Sequence, residues 1–131
     1  MAAGMTIAEA IDAIEETYEF MLAYAAQGRR PEDEEDKGSG IRERLTRAET
    51  ALGVIAAATV DAIPATGAAA DAEFLDVVKG DALRARAAFR LVLAQRSIGS
   101  QVIDNLNATT HVRTLLTDLF LLDETIKISG V

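Results

Sequence analysis

Cysteine and tryptophan are both absent from the chain, and proline occurs only at Pro31 and Pro64. Without a thiol there can be no disulfide, no thiolate nucleophile and no cysteine-ligated zinc or iron–sulfur site. Two prolines leave long stretches free to coil, because proline removes an amide donor and clashes inside a helix. Aromatic residues make up only 5%, so the 50% apolar share is carried by Ala, Leu, Ile and Val. Alanine is the best helix former, since it loses no side-chain entropy on folding. No uninterrupted apolar run approaches the roughly 18–20 residues of a membrane span. Met1 to Thr6 lack the basic patch and apolar core of a signal peptide. The expectation is a cytoplasmic protein that neither crosses nor lies on a membrane.

Histidine is almost absent too: His111 stands alone. Di-iron helical bundles need a Glu-x-x-His motif on each of two helices. This chain cannot supply two, and Ala108 occupies the position three residues before His111. No metal and no cofactor is expected. Serine occurs only at Ser39, Ser97, Ser100 and Ser129, never within Gly-x-Ser-x-Gly, so no nucleophile elbow is present. Gly38-Ser39-Gly40 lacks the lysine of a phosphate-binding loop. Adjacent carboxylates such as Glu15-Glu16 and Asp123-Glu124 diverge around a helix and make no acid–base pair. His111 with a carboxylate such as Asp118 is the least supported reading. The residues name no catalytic group and argue against an enzyme.

What is present specifies helices. At 131 residues the length suits one domain with its own core, so residues 1–131 are read as a single helical-bundle domain. Thr6-Ile7-Ala8-Glu9 spells a capping box. It opens a seam of Ile7, Ile11, Ile14, Tyr18, Met21 and Ala25 in steps of four and three, closed by Gly28. Residues 29–40, with Pro31, the run Glu32 to Asp36 and two glycines, predict an acidic flexible loop. That run lacks the alternating ligands and distal Glu of a calcium loop.

The second helix is expected from Ser39 to Ile63, on Ile41, Leu45, Ala48, Leu52, Ile55, Thr59 and Ala62, and is closed by Pro64. The third begins near Asp71, with a kink or split at Gly80-Asp81. The last starts at either Ser100 or Thr109, with a firm seam at Val112, Leu115, Leu119, Leu122 and Ile126. The fold class expected is all-α, an antiparallel four-helix bundle.

Acids outnumber bases by 21 to 13, a formal charge of −8, which opposes binding to nucleic acid or anionic lipid. Arg42, Arg44 and Arg47, then Arg84, Arg86, Arg90 and Arg96, cluster after the acidic first third. They are expected to face acids on neighbouring helices.

The last helix carries Leu116, Phe120 and Leu121 beyond its seam, so apolar side chains wrap most of its circumference. A helix apolar nearly all round is buried nearly all round. The simplest cover is a second copy of the chain, because two-fold homodimers dominate soluble oligomers. The leading expectation is a non-enzymatic interaction protein of adaptor, chaperone-like or accessory-subunit character. It would self-associate and bind a protein partner through Leu116, Phe120 and Leu121. The alternative is a small-molecule-binding bundle with an apolar pocket between helices, lined by Tyr18, Phe74, Phe89 and Val92.

Overall fold

The computed structural model describes residues 4–31, 40–59 and 68–128, with side chains described from 72 to 125 in the last stretch. Among these residues there are five helices and no strand: α1 (Ile7–Ala26), α2 (Ile41–Ala56), α3 (Ala68–Leu93), α4 (Ser100–Ala108) and α5 (Thr110–Ile128). The acidic run Glu32 to Asp36 and the expected end of the second helix at Ile63 lie outside the described residues.

The capping box forms as its spacing dictates. Glu9 N–H donates to Thr6 Oγ1 at 3.1 Å, and Thr6 N–H donates to Glu9 Oε1 at 2.9 Å. Gly28 follows the end of α1 with φ +66°, a left-handed conformation that favours glycine.

Packing runs in a chain of neighbours. α1 contacts α2 and α4, α2 contacts α3, and α3 contacts α5. Lesser contacts join α4 to α3 and α5. Alanines buried on α1 (Ala10, Ala13), α2 (Ala48, Ala51) and α3 (Ala82, Ala85) join one core with Met21, Leu45, Leu52, Ile55, Val78 and Leu119. Small side chains there let helix backbones approach closely.

Three boundaries differ from the sequence-based expectation. α2, expected to run on through Thr59 to Ile63, ends at Ala56, and residues 57–59 are not helical. α3 runs through Gly80 without a split. Val78 and Ala82, on either side of it, are fully buried, and that burial outweighs the roughly 1 kcal/mol cost of a mid-helix glycine. Asp81 caps nothing; its carboxylate meets Arg84 one turn on, at 3.3 Å.

The last region is two helices, so the described bundle has five helices where four were expected. Ser100 and Thr109, weighed as alternative starts, both mark one. Thr109 adopts extended geometry (φ −61°, ψ 127°) and ends α4. Its carbonyl then accepts from the N–H groups of Val112 and Arg113 at 3.1 Å, opening α5.

Candidate functional site

α5 turns Val112, Leu115, Leu116, Leu119 and Leu122 inward. Its other faces carry Phe120, 53% exposed, and Leu121, 54% exposed. Leu116 was expected beside them on the open surface. It is only 4% exposed and belongs to the core, because it lies four residues after Val112 and three before Leu119, on the same stripe. On the neighbouring α3, Val77 and Leu91 are exposed as well. They stand fourteen residues apart with Arg84 midway, so they share one stripe of that helix.

Contacts fix the level of α5 against α3. Leu75 and Leu122 pack in one small cluster with Ala58, flanked by Ile7 and Phe74. Further along, the carboxyl groups of Asp81 and Asp118 lie within hydrogen-bonding reach. Asp118 Oδ2 is inaccessible to solvent and accepts no hydrogen bond among the described residues. Burial raises the Asp118 carboxyl from its ordinary value to about 7, and the contact with Asp81 pushes it the same way. Perturbed carboxyls mark functional sites only in combination with a cleft and partners. His111 is exposed and sits seven residues earlier on α5, about 10 Å along the axis, so the two form no acid–base pair.

A second polar centre joins α2 to α3. Arg86 Nε donates to Glu49 Oε2 at 2.7 Å and Arg90 Nε to the same oxygen at 2.9 Å. The Arg86 hydrogen bond leads in holding Glu49 below the usual carboxylate range, with Arg90 assisting and desolvation opposing. Arg47 lies 4.0 Å from Glu16. These arginines do face acids on neighbouring helices. An open cleft of about 730 Å³ beside this centre is lined by Met5, Glu49, Gly53, Val54 and Arg86, among others.

A hydrogen-bond network with no local signature in the residues around it ties the end of α1 to the start of α4. The Tyr24 hydroxyl donates to the Ile98 carbonyl at 2.6 Å, and Ser100 Oγ donates to the Tyr24 carbonyl at 2.6 Å. Arg29 N–H donates to Ser100 Oγ at 2.7 Å, while Ser100 N–H donates to the Arg29 carbonyl at 2.8 Å. The Arg29 guanidinium sits 5.4 Å from the Tyr24 ring centre, within cation–π range. An open cleft of about 630 Å³ adjoins this knot, lined by residues including Arg29, Arg30, Ser97, Ser100 and Asn105.

The four residues expected to line an apolar pocket are not brought together around either cleft. Phe89 and Val92 are buried in the main core, and Tyr18 and Phe74 are half-buried against it. No described group of three or more His, Asp or Glu residues could hold a metal ion. No described helix is long and apolar enough to cross a membrane. Comparison with known proteins finds no matching family model, no matching curated protein and no matching solved structure.

Proposed function

We propose that the chain is a non-enzymatic interaction protein, an antiparallel helical bundle that self-associates through α5 and the adjoining stripe of α3, and that it docks a protein partner. The observation that carries this reading is the pair Phe120 and Leu121, each more than half exposed on α5. Exposed apolar area is unfavourable at about 25 cal/mol per Å², and contiguous patches on a folded surface mark association sites. A stable interface needs roughly 800 Å² from each partner. Phe120 and Leu121 supply only part of that, and the proposed surface takes in the exposed Val77 and Leu91 of α3, the helix α5 packs against most, as the remaining apolar area. The antiparallel order is supported by the contacts at both ends. Leu75, early in α3, meets Leu122, late in α5. Between α1 and α2 the order also reverses: Arg44 sits 4.5 Å from the Phe20 ring centre, while Arg47, later in α2, lies 4.0 Å from Glu16, earlier in α1.

A two-fold dimer places the patch against itself and leaves the acidic exterior in water. The same net charge argues against nucleic acid as the partner. The test is solution mass by light scattering. The wild-type chain is expected at twice its monomer mass. Replacing Phe120 and Leu121 together with serine is expected to give the monomer mass with unchanged helicity by circular dichroism. A monomeric wild type, or a variant of unaltered mass, overturns the reading.

A further inference from the structure

Asp81 of α3 and Asp118 of α5 are neighbours across the contact between those helices, and no Lys or Arg among the described residues forms an ion pair with Asp118. Arg84 reaches Asp81 Oδ1 at 3.3 Å, but from its outer side, with its own side chain 60% exposed. Asp118 Oδ2 is shielded from solvent and accepts no hydrogen bond among the described residues. α5 packs next most on α4, whose single charged residue, Asp104, is exposed, and touches α1 through the apolar Ile7 cluster; the half-buried Lys79 of α3 makes no ion pair among the described residues. On α5 itself, His111 lies two turns away and is exposed. Two carboxylates in contact cannot both ionise without strong repulsion, whereas one proton between them makes a short O–H···O bond to an ionised acceptor.

We propose that Asp81 and Asp118 share a single proton across the α3–α5 contact, so that α5 is held to the bundle more firmly in weak acid than in weak alkali. α5 is the element that responds, because its main attachment is to α3 alone. Helices with few attachments open locally before the whole domain unfolds. The sign follows from linkage. In the closed state Asp118 keeps its proton up to about pH 7. Once α5 lifts away, the carboxyl reverts to its ordinary value of 3.8 and the proton is lost. The closed state therefore binds more protons, and opening becomes easier as pH rises between those two values and through the upper one. From pH 6 to pH 8 the opening constant rises by up to roughly tenfold.

The experiment is hydrogen–deuterium exchange of the α5 amides at pH 6 and pH 8, corrected for the intrinsic base dependence. In the wild type, protection of α5 is expected to fall several-fold between the two pH values, while α1 and α2 stay protected. Asp118→Asn, which keeps the shape and cannot ionise, is expected to abolish the difference. His111→Gln is expected to leave it intact. Carrying the same comparison in the Phe120→Ser/Leu121→Ser chain removes the contribution of self-association to α5 protection, and the pH response is expected to remain there. A wild type with equal protection at both pH values overturns the proposal, as does an undiminished response in Asp118→Asn. It is equally overturned if added Mg²⁺ or Ca²⁺ restores protection at pH 8 in the wild type but not in Asp118→Asn, since the pair would then hold a cation.

Discussion

Gly99 caps α4 and lies close against the backbone of residues 29–31, which follow α1, and a single methyl group there tests that contact. A Cβ on Gly99 would stand 2.8 Å from the Pro31 nitrogen, 2.9 Å from the Arg29 carbonyl oxygen and 3.0 Å from the Arg30 carbonyl carbon. All three neighbours are backbone, so none can swing aside. The φ of Gly99 is −99°, which any residue adopts, so the penalty is steric. Overpacking of this kind costs about 1–3 kcal/mol. Moving the two segments apart also stretches the bonds between Arg29 and Ser100, at 2.7 and 2.8 Å, for about 1 kcal/mol more. Gly99→Ala should therefore lose about 2–4 kcal/mol. For a chain of this length the unfolding entropy near the midpoint is roughly 0.28 kcal/mol/K, so Tm should fall by about 7–14 °C. Thermal unfolding followed by circular dichroism measures it. The internal controls are Gly53→Ala and Gly80→Ala. At Gly53 the nearest atom is Arg86 Cζ at 3.6 Å, and at Gly80 it is the mobile end of Arg84 at 3.3 Å. Both sit inside helices, where alanine gains about 0.5–1 kcal/mol over glycine. A Gly99→Ala chain as stable as the wild type, or a Gly80→Ala chain less stable than it, would refute this reasoning.

Glu49→Gln should destabilise the chain by about 1–2 kcal/mol at neutral pH, because Glu49 is only 17% exposed and receives two arginines. Its folded pKa is depressed below the ordinary 4.5. The ionic contribution is thus present above that value and lost as pH falls through the folded pKa. Urea titrations at pH 7 and pH 3 should show the gap between wild type and variant closing in acid. Leu116→Ala should cost about 2–5 kcal/mol as a core truncation, whereas Phe120→Ala, with more than half its surface in water, should cost under about 1 kcal/mol and act on solution mass instead. Equal losses for the two would show that Phe120 is packed within its own chain.

What the residues disclosed in advance was whatever depends on local spacing. The Thr6–Glu9 capping box, the Gly28 terminator and the inward row of α2 from Ile41 to Ile55 need only neighbours within a few positions, and each appears where its spacing puts it. What stayed hidden depends on residues far apart in sequence. Tyr24 and Ser100 are tied across 76 positions, and nothing near either announces the other. Gly80 illustrates the same limit from the other side. A glycine followed by aspartate reads locally as a stop, but Val78 and Ala82 are held by other helices, and that non-local burial carries α3 through.

α5 shows how far an apolar inventory can be pushed. Its apolar side chains are more than one edge helix hides, and burial separates them by position. Val112, Leu115, Leu116, Leu119 and Leu122 form one stripe and are enclosed by the chain itself, while Phe120 and Leu121 fall off it and stay in water. A central helix would have neighbours on those flanks as well. α5 packs chiefly on α3, with only a lesser contact to α4. The same edge position explains the opposite anomaly on the flank towards α3, where Asp118 is pressed against Asp81. A helix held mainly from one side has a sharp boundary between dry and wet. The residues straddling it are a carboxyl too buried to ionise freely and aromatic and aliphatic side chains too exposed to be core. Both anomalies are properties of one edge helix, so a change that releases α5 should alter proton uptake and association together.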